Sequence, residues 1–147
     1  MTPELGAHDA ERPSIRTAIA WGIVVGALQA ASPLAFWWLD AAAVYAIGLA
    51  LIAGVYIGFA VSDGRWNVIA IECGVAFAFV IVAAAGVTGP AWLLAVGFAG
   101  HGIKDAWQER TRFVDRTRWW PPFCAAVDWV VAAAIVVAIV AGVEFRA

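Results

Sequence analysis

From Ala41 to Val61 the chain reads AAAVYAIGLALIAGVYIGFAV, without one charged side chain. That length matches the roughly 20 apolar residues with which a helix crosses a bilayer. Lipid tolerates such a block because a helix satisfies its own backbone hydrogen bonds. Four more blocks follow at 15–31, 66–86, 90–107 and 121–143. Composition agrees, with 64% of the 147 residues hydrophobic and 14% charged, against about 45–50% apolar in soluble domains. The blocks are continuous rather than alternating, which excludes β-barrel strands. The expected fold is an all-α, polytopic transmembrane helix bundle of five spans.

The block boundaries carry stop and start signals. "ASP" ends the first block, Asp40 and "SDGR" at 62–65 bracket the second, and "VTGP" closes the third. Pro90 and the pair Pro121–Pro122 stand where a first helical turn accepts proline. Every connection is short except 108–120, so sequence neighbours are expected to pack antiparallel. "GIVVG" at 22–26 and "GVYIG" at 54–58 are small-residue pairs of the kind that let helices approach closely. Trp37, Trp38, Trp66, Trp107, Trp119 and Trp120 fall near the block ends, as an interfacial aromatic belt would.

Orientation follows from the basic residues. Arg12, Arg16, Arg65, Lys104, Arg110, Arg112, Arg116 and Arg118 fall on one side, and Arg146 alone on the other. This predicts a cytoplasmic N-terminus, an outside C-terminus and residence in the cell (inner) membrane. Residues 1–14 are then a cytoplasmic tail, 15–143 one bundle with a cytoplasmic interfacial loop at 108–120, and 144–147 a short external tail. The segment 1–31 has some features of a signal peptide, but its leader "MTPELGAHDAERPS" is long and acidic for one.

Ionisable groups inside the blocks are the functional signal, since each costs about 2.5–3.5 kcal/mol near a span centre. Glu72 lies six residues beyond Trp66, His101 six before Trp107, and Asp128 seven beyond Pro121. At the helical rise these depths are all about 9–10 Å from the cytoplasmic side. Lys104, Asp105 and Asp63 sit shallower on that side. His101, Lys104, Asp105 and Gln108 share one helical stripe, and Cys124 shares a face with Asp128. Gly97, Gly100 and Gly102 leave room beside the histidine. The outer half offers little polarity beyond Tyr45 and Tyr56, so no complete polar path crosses the bundle.

The buried carboxylates outnumber the cations, and a bound cation or retained protons would relieve the excess. A divalent metal can be held by His101 with Asp105, Glu72, Asp128 and Cys124. In a catalytic version, His101 and Asp105 act as ligands, or as a base and its orienter. Glu72, Lys104, Asp128 and Asp63 serve as proton carriers or as a structural polar cluster. Haem would need two copies of the chain, since His101 is the only histidine in a span. Cys73 and Cys124 show no disulfide or metal-knuckle spacing, and both are expected to be small buried residues.

"HGIKDAWQ" followed by "PPFCAAVD" resembles uncharacterised families of small bacterial polytopic membrane proteins. In these, a helix end with H-x3-D-x2-H precedes a helix bearing Cys and Asp near its start. The resemblance spans about residues 97–130 and marks His101, Asp105, Cys124 and Asp128; Gln108 stands where the pattern has a second histidine. It implies no assigned activity. Three function classes follow from the residues. The first is a membrane-embedded His/carboxylate site that binds a cation or acts on an apolar, lipid-like substrate. The second is a proton or small-solute transporter working as a homo-oligomer. The third is a structural or assembly subunit of a membrane complex. The expected partners are the lipid bilayer and a second copy or a membrane protein, with no nucleic acid.

Overall fold

The computed structural model describes residues 14–115 and 117–146. The expected tail therefore lies outside the described residues apart from Ser14, as do Arg12 and Arg116 of the charge count. Five helices follow in order: α1 Ile15–Ala35, α2 Ala41–Asp63, α3 Trp66–Thr88, α4 Trp92–Thr111 and α5 Trp120–Val140. No strand occurs among the described residues. α1, α2, α3 and α5 are long and apolar enough to cross a membrane. α4 is long enough, but its polar stripe dilutes it, so four helices rather than five meet that test.

Local chemistry explains where the helices run past their expected ends. Ser14 caps α1 by accepting the Thr17 N–H at 3.2 Å. The same helix continues through Pro33 to Ala35 instead of stopping at Ala31. Proline cannot donate to the carbonyl four residues back, and Ser32 Oγ donates to that Gln29 carbonyl instead, at 2.6 Å. Gly64 ends α2 with a left-handed backbone, φ 83°. Pro121 sits in the first turn of α5, where its missing N–H costs nothing. α4 starts at Trp92 rather than Pro90, whose carbonyl accepts from Leu93 N at 3.0 Å in the preceding turn.

Packing departs from the expected order. α5 is the central helix, lying along both α1 and α4, while α2 packs on α3. α1 touches α2 only lightly despite the short connection. The reason is the "GIVVG" pair, whose face is turned to α5. A Cβ on Gly22 would collide with the Phe123 carbonyl, and one on Gly26 would stand 2.9 Å from Val130 Cβ. The "GVYIG" pair has no such role within the chain, since nothing lies within 4 Å of a Cβ on Gly54 or Gly58.

Two apolar clusters fill the bundle. The larger gathers Leu49, Leu94, Phe98, Val131, Ile135 and Phe145 with small residues between them. Its far end is closed by the segment after α5. Phe145 O accepts from Ala42 N at 3.0 Å, and Arg146 Nη1 donates to Gly89 O at 2.6 Å. The smaller cluster is Tyr56, Ala60, Val68 and Val114 at the opposite end. Val114 and Thr117 are buried, so the 112–119 loop is partly tucked into the bundle rather than resting wholly at its surface. Trp37, Trp38, Trp66, Trp107 and Trp119 are exposed as a belt would be. Trp120 instead packs on Phe59 and Phe123.

Candidate metal centre

Between the two clusters lies the polar assembly, and α4 supplies most of it. His101, Asp105 and Gln108 are all buried on its inner stripe. Glycine permits this approach on the α5 side: a Cβ on Gly102 would run into the Trp129 indole. Gly97 plays the same part toward Leu49, whose Cδ2 would stand 2.6 Å from an added Cβ. The space beside these two glycines is taken by neighbouring side chains. At Gly100 only Phe79 comes near, at 3.9 Å.

His101 meets two carboxylates. Its Nδ1 stands 2.8 Å from Asp128 Oδ2 on α5 and 3.4 Å from Asp105 Oδ2 one turn along α4. Cys124, one turn before Asp128, completes the group. One donor atom from each of His101, Asp105, Cys124 and Asp128 lies within 4.8 Å of all the others, and all four residues are buried. The imidazole is wedged between aromatic rings, 4.8 Å from Phe79 and 5.9 Å from Tyr56 between centroids.

Four buried oxygens in this neighbourhood lack a hydrogen-bond partner: both of Asp105, Oδ1 of Asp128 and the Tyr56 hydroxyl. Buried polar atoms are nearly always satisfied, so these four oxygens are acceptors open to a further partner. A thiol, an imidazole and two carboxylates form a donor set that borderline and thiophilic divalent metals favour.

Glu72 belongs to a separate pair. Its Oε2 accepts from Lys104 Nζ at 2.8 Å, and its Oε1 accepts from Gln108 Nε2. Gln108 Oε1 in turn accepts from Val114 N at 3.3 Å, which ties the pair to the loop. Lys104 also lies on the face of Tyr56, 3.1 Å from the ring centroid. The expected reach of Glu72 into the metal group is thus replaced by an ion pair beside it.

Asp63 is not brought to the others. It is the last residue of α2, where Arg65 Nε donates to it at 2.6 Å and Asp115 N at 2.9 Å. The guanidinium and that N–H hold its carboxyl well below the usual carboxylate range. With Arg65 Nη2 donating to Phe113 O at 2.8 Å, this knot fastens the loop. Cys73 is exposed on α3, not buried. Tyr56 was assigned by sequence to the outer half, yet it stands at the centre. It is seven residues before Asp63, so the depth count applied to Glu72 would have placed it correctly.

No protein family, curated protein or solved structure matches this chain. The resemblance read from "HGIKDAWQ" and "PPFCAAVD" therefore has no matching family behind it. What stands of it is the meeting of the four residues that it marked.

Proposed function

We propose that this chain is a multi-pass protein of the cell membrane that holds a divalent transition metal, of the zinc class, in a buried centre. His101, Asp105, Cys124 and Asp128 are its ligands. The observation that carries this reading is Asp105, fully buried, whose oxygens make no hydrogen bond of regular geometry and face His101 at 3.4 Å, with Cys124 and Asp128 close by. Two buried carboxylates share the single His101 imidazole, and an excess of buried negative charge costs several kcal/mol. A cation shared with Asp128 and the thiolate removes that cost.

The geometry is near what a four-coordinate ion needs. Bonds of about 2.0–2.3 Å in a tetrahedron set ligand atoms about 3.3–3.8 Å apart. Donors now within 4.8 Å of one another close by about 1 Å to reach that spacing. The thiol is the reason to prefer a metal over a proton relay, which has no use for it. Four protein donors leave no free coordination position, so His101 and Asp105 act as ligands rather than as base and orienter. The apolar cluster beyond Phe98 supports binding over transport, since it offers no continuing polar path.

In this reading α4 is the fifth span. Its 20 residues give about 30 Å of helix, and its polar stripe is turned inward, away from lipid. The 112–119 end faces the cytoplasm, following the excess of basic residues there.

The test is metal content. Detergent-purified protein, incubated with zinc and desalted, is expected to hold close to one metal per chain by mass spectrometry. His101→Ala and Asp105→Asn are expected to hold almost none while eluting as the same monodisperse species. A wild-type protein that retains no metal sinks the reading.

A further inference from the structure

Of the ionisable groups in the polar assembly, Lys104 is the one that reaches outward. Its side chain is 13% exposed against 2% for Glu72, and Asp105 and Asp128 are at 0%. It reaches from α4 to Glu72 on α3, and these two helices pack on each other less extensively than α4 and α5 do. Its ammonium is gripped from two sides, by Glu72 Oε2 at 2.8 Å and by the Tyr56 ring at 3.1 Å. A carboxylate and an aromatic face together make a cation site. Here the cation that occupies it is the protein's own. Gln108 holds the second oxygen of Glu72, so the carboxylate stays aimed at that spot. The pocket also adjoins the metal centre, because the Tyr56 ring that floors it meets the His101 ring edge-on.

We propose that Glu72 forms an outer cation subsite through which the metal passes to the His101 centre, with the Lys104 ammonium, held in place by the Tyr56 ring, filling that subsite as a tethered plug. This rests on the metal reading above and adds its regulation. An arriving ion displaces the ammonium, which swings outward on its flexible four-carbon stem. The ion is held briefly by Glu72 and then moves inward to Asp105 and His101. Lys104 returns behind it. The plug sets how fast metal enters and leaves, and its removal does not weaken the inner ligands. That separation distinguishes a gate from a residue that merely shapes the centre.

The experiment follows Co²⁺ loading of metal-free protein in detergent by stopped-flow absorption of the thiolate–cobalt band, and release into excess chelator. Lys104→Met is expected to load about tenfold faster than wild type, the worth of a desolvated cation–π contact, and to release faster by a smaller factor, because losing a positive charge beside Asp105 and Cys124 also tightens binding. Lys104→Arg, which restores a plug, is expected to behave as wild type. Tyr56→Leu keeps every charge in place and removes the ring. It is expected to load faster too, and it decides the matter where Lys104→Met, which strips Glu72 of its counter-ion, does not fold. Unchanged or slower loading in the variants overturns the plug, as does a loss of affinity that accounts for the rate change. A wild type that takes up no cobalt removes the metal centre itself and this gate with it, whereas loading at equal rates removes the gate alone.

Discussion

At the scale of single residues, the site divides by chemistry into a soft centre and a hard, ion-paired rim. Cys124 makes the centre soft. Replacing it by serine exchanges a thiolate for an alcohol of similar size. The variant is expected to lose at least about tenfold in affinity for zinc or cobalt, while its weaker binding of manganese changes little. Competitive titration against a chromophoric chelator measures both, and equal losses for the two metals would show that sulfur is not a ligand. The residues of this centre were largely legible in the sequence. His101, Asp105, Cys124 and Asp128 fall on inward stripes at matching depth, and burial cost forces such groups together. Less legible was the division of labour, because depth and helical phase do not say which carboxylate faces which neighbour. Glu72 has the right depth for the metal group, but Lys104 and Gln108 claim both of its oxygens. Tyr56 was within reach of the same depth count, which from Asp63 puts it at the level of the site rather than in the outer half.

At the scale of helices, the apolar blocks announced every element, while most ends shifted by a few residues, in α1 through Ser32 and Pro33. What the blocks could not convey was which helices touch. Small-residue pairs look alike in sequence, yet "GIVVG" is locked against α5 and "GVYIG" faces open space. A substitution pair exploits this contrast. Gly22→Leu pushes into the Phe123 carbonyl and the Ala126 side chain, and is expected to cost about 1–3 kcal/mol or more, as overpacking does. Gly58→Leu is expected to be close to neutral. Unfolding in graded denaturing detergent, followed by helical circular dichroism, compares them. Equal stability of the two variants would mean that α1 does not sit on α5. The loop after α4 was harder to read, because its composition resembles an interfacial segment. Its burial comes from backbone groups, Phe113 O and the N–H groups of Val114 and Asp115, which Arg65, Gln108 and Asp63 pin in place. Long-range bonds to backbone leave no mark in composition.

For the whole molecule, the question is how the bundle sits in its membrane. The basic residues predict that both ends of α4–α5 beside the 112–119 loop face the cytoplasm and that Arg146 lies outside. Reporter fusions check this, with a fluorescent protein that matures only inside and a phosphatase active only outside. A phosphatase fused after residue 146 is expected to be active, and one inserted at residue 64 inactive. The reverse pattern would invert the bundle and place the His101 cluster near the outer surface. The weak point of the assembly in that membrane is α4, the helix that carries the site and the least apolar of the five. α1, α2, α3 and α5 can each partition into lipid by their own hydrophobicity. α4 cannot shed water from His101, Lys104, Asp105 and Gln108 until α3 presents Glu72 and α5 presents Asp128. Since α5 follows α4 in the chain, Asp128 is not yet present to meet His101 when α4 is made. The centre is therefore a product of timing as well as of sequence, and any delay in the emergence of α5 leaves a chain with the right residues and no site.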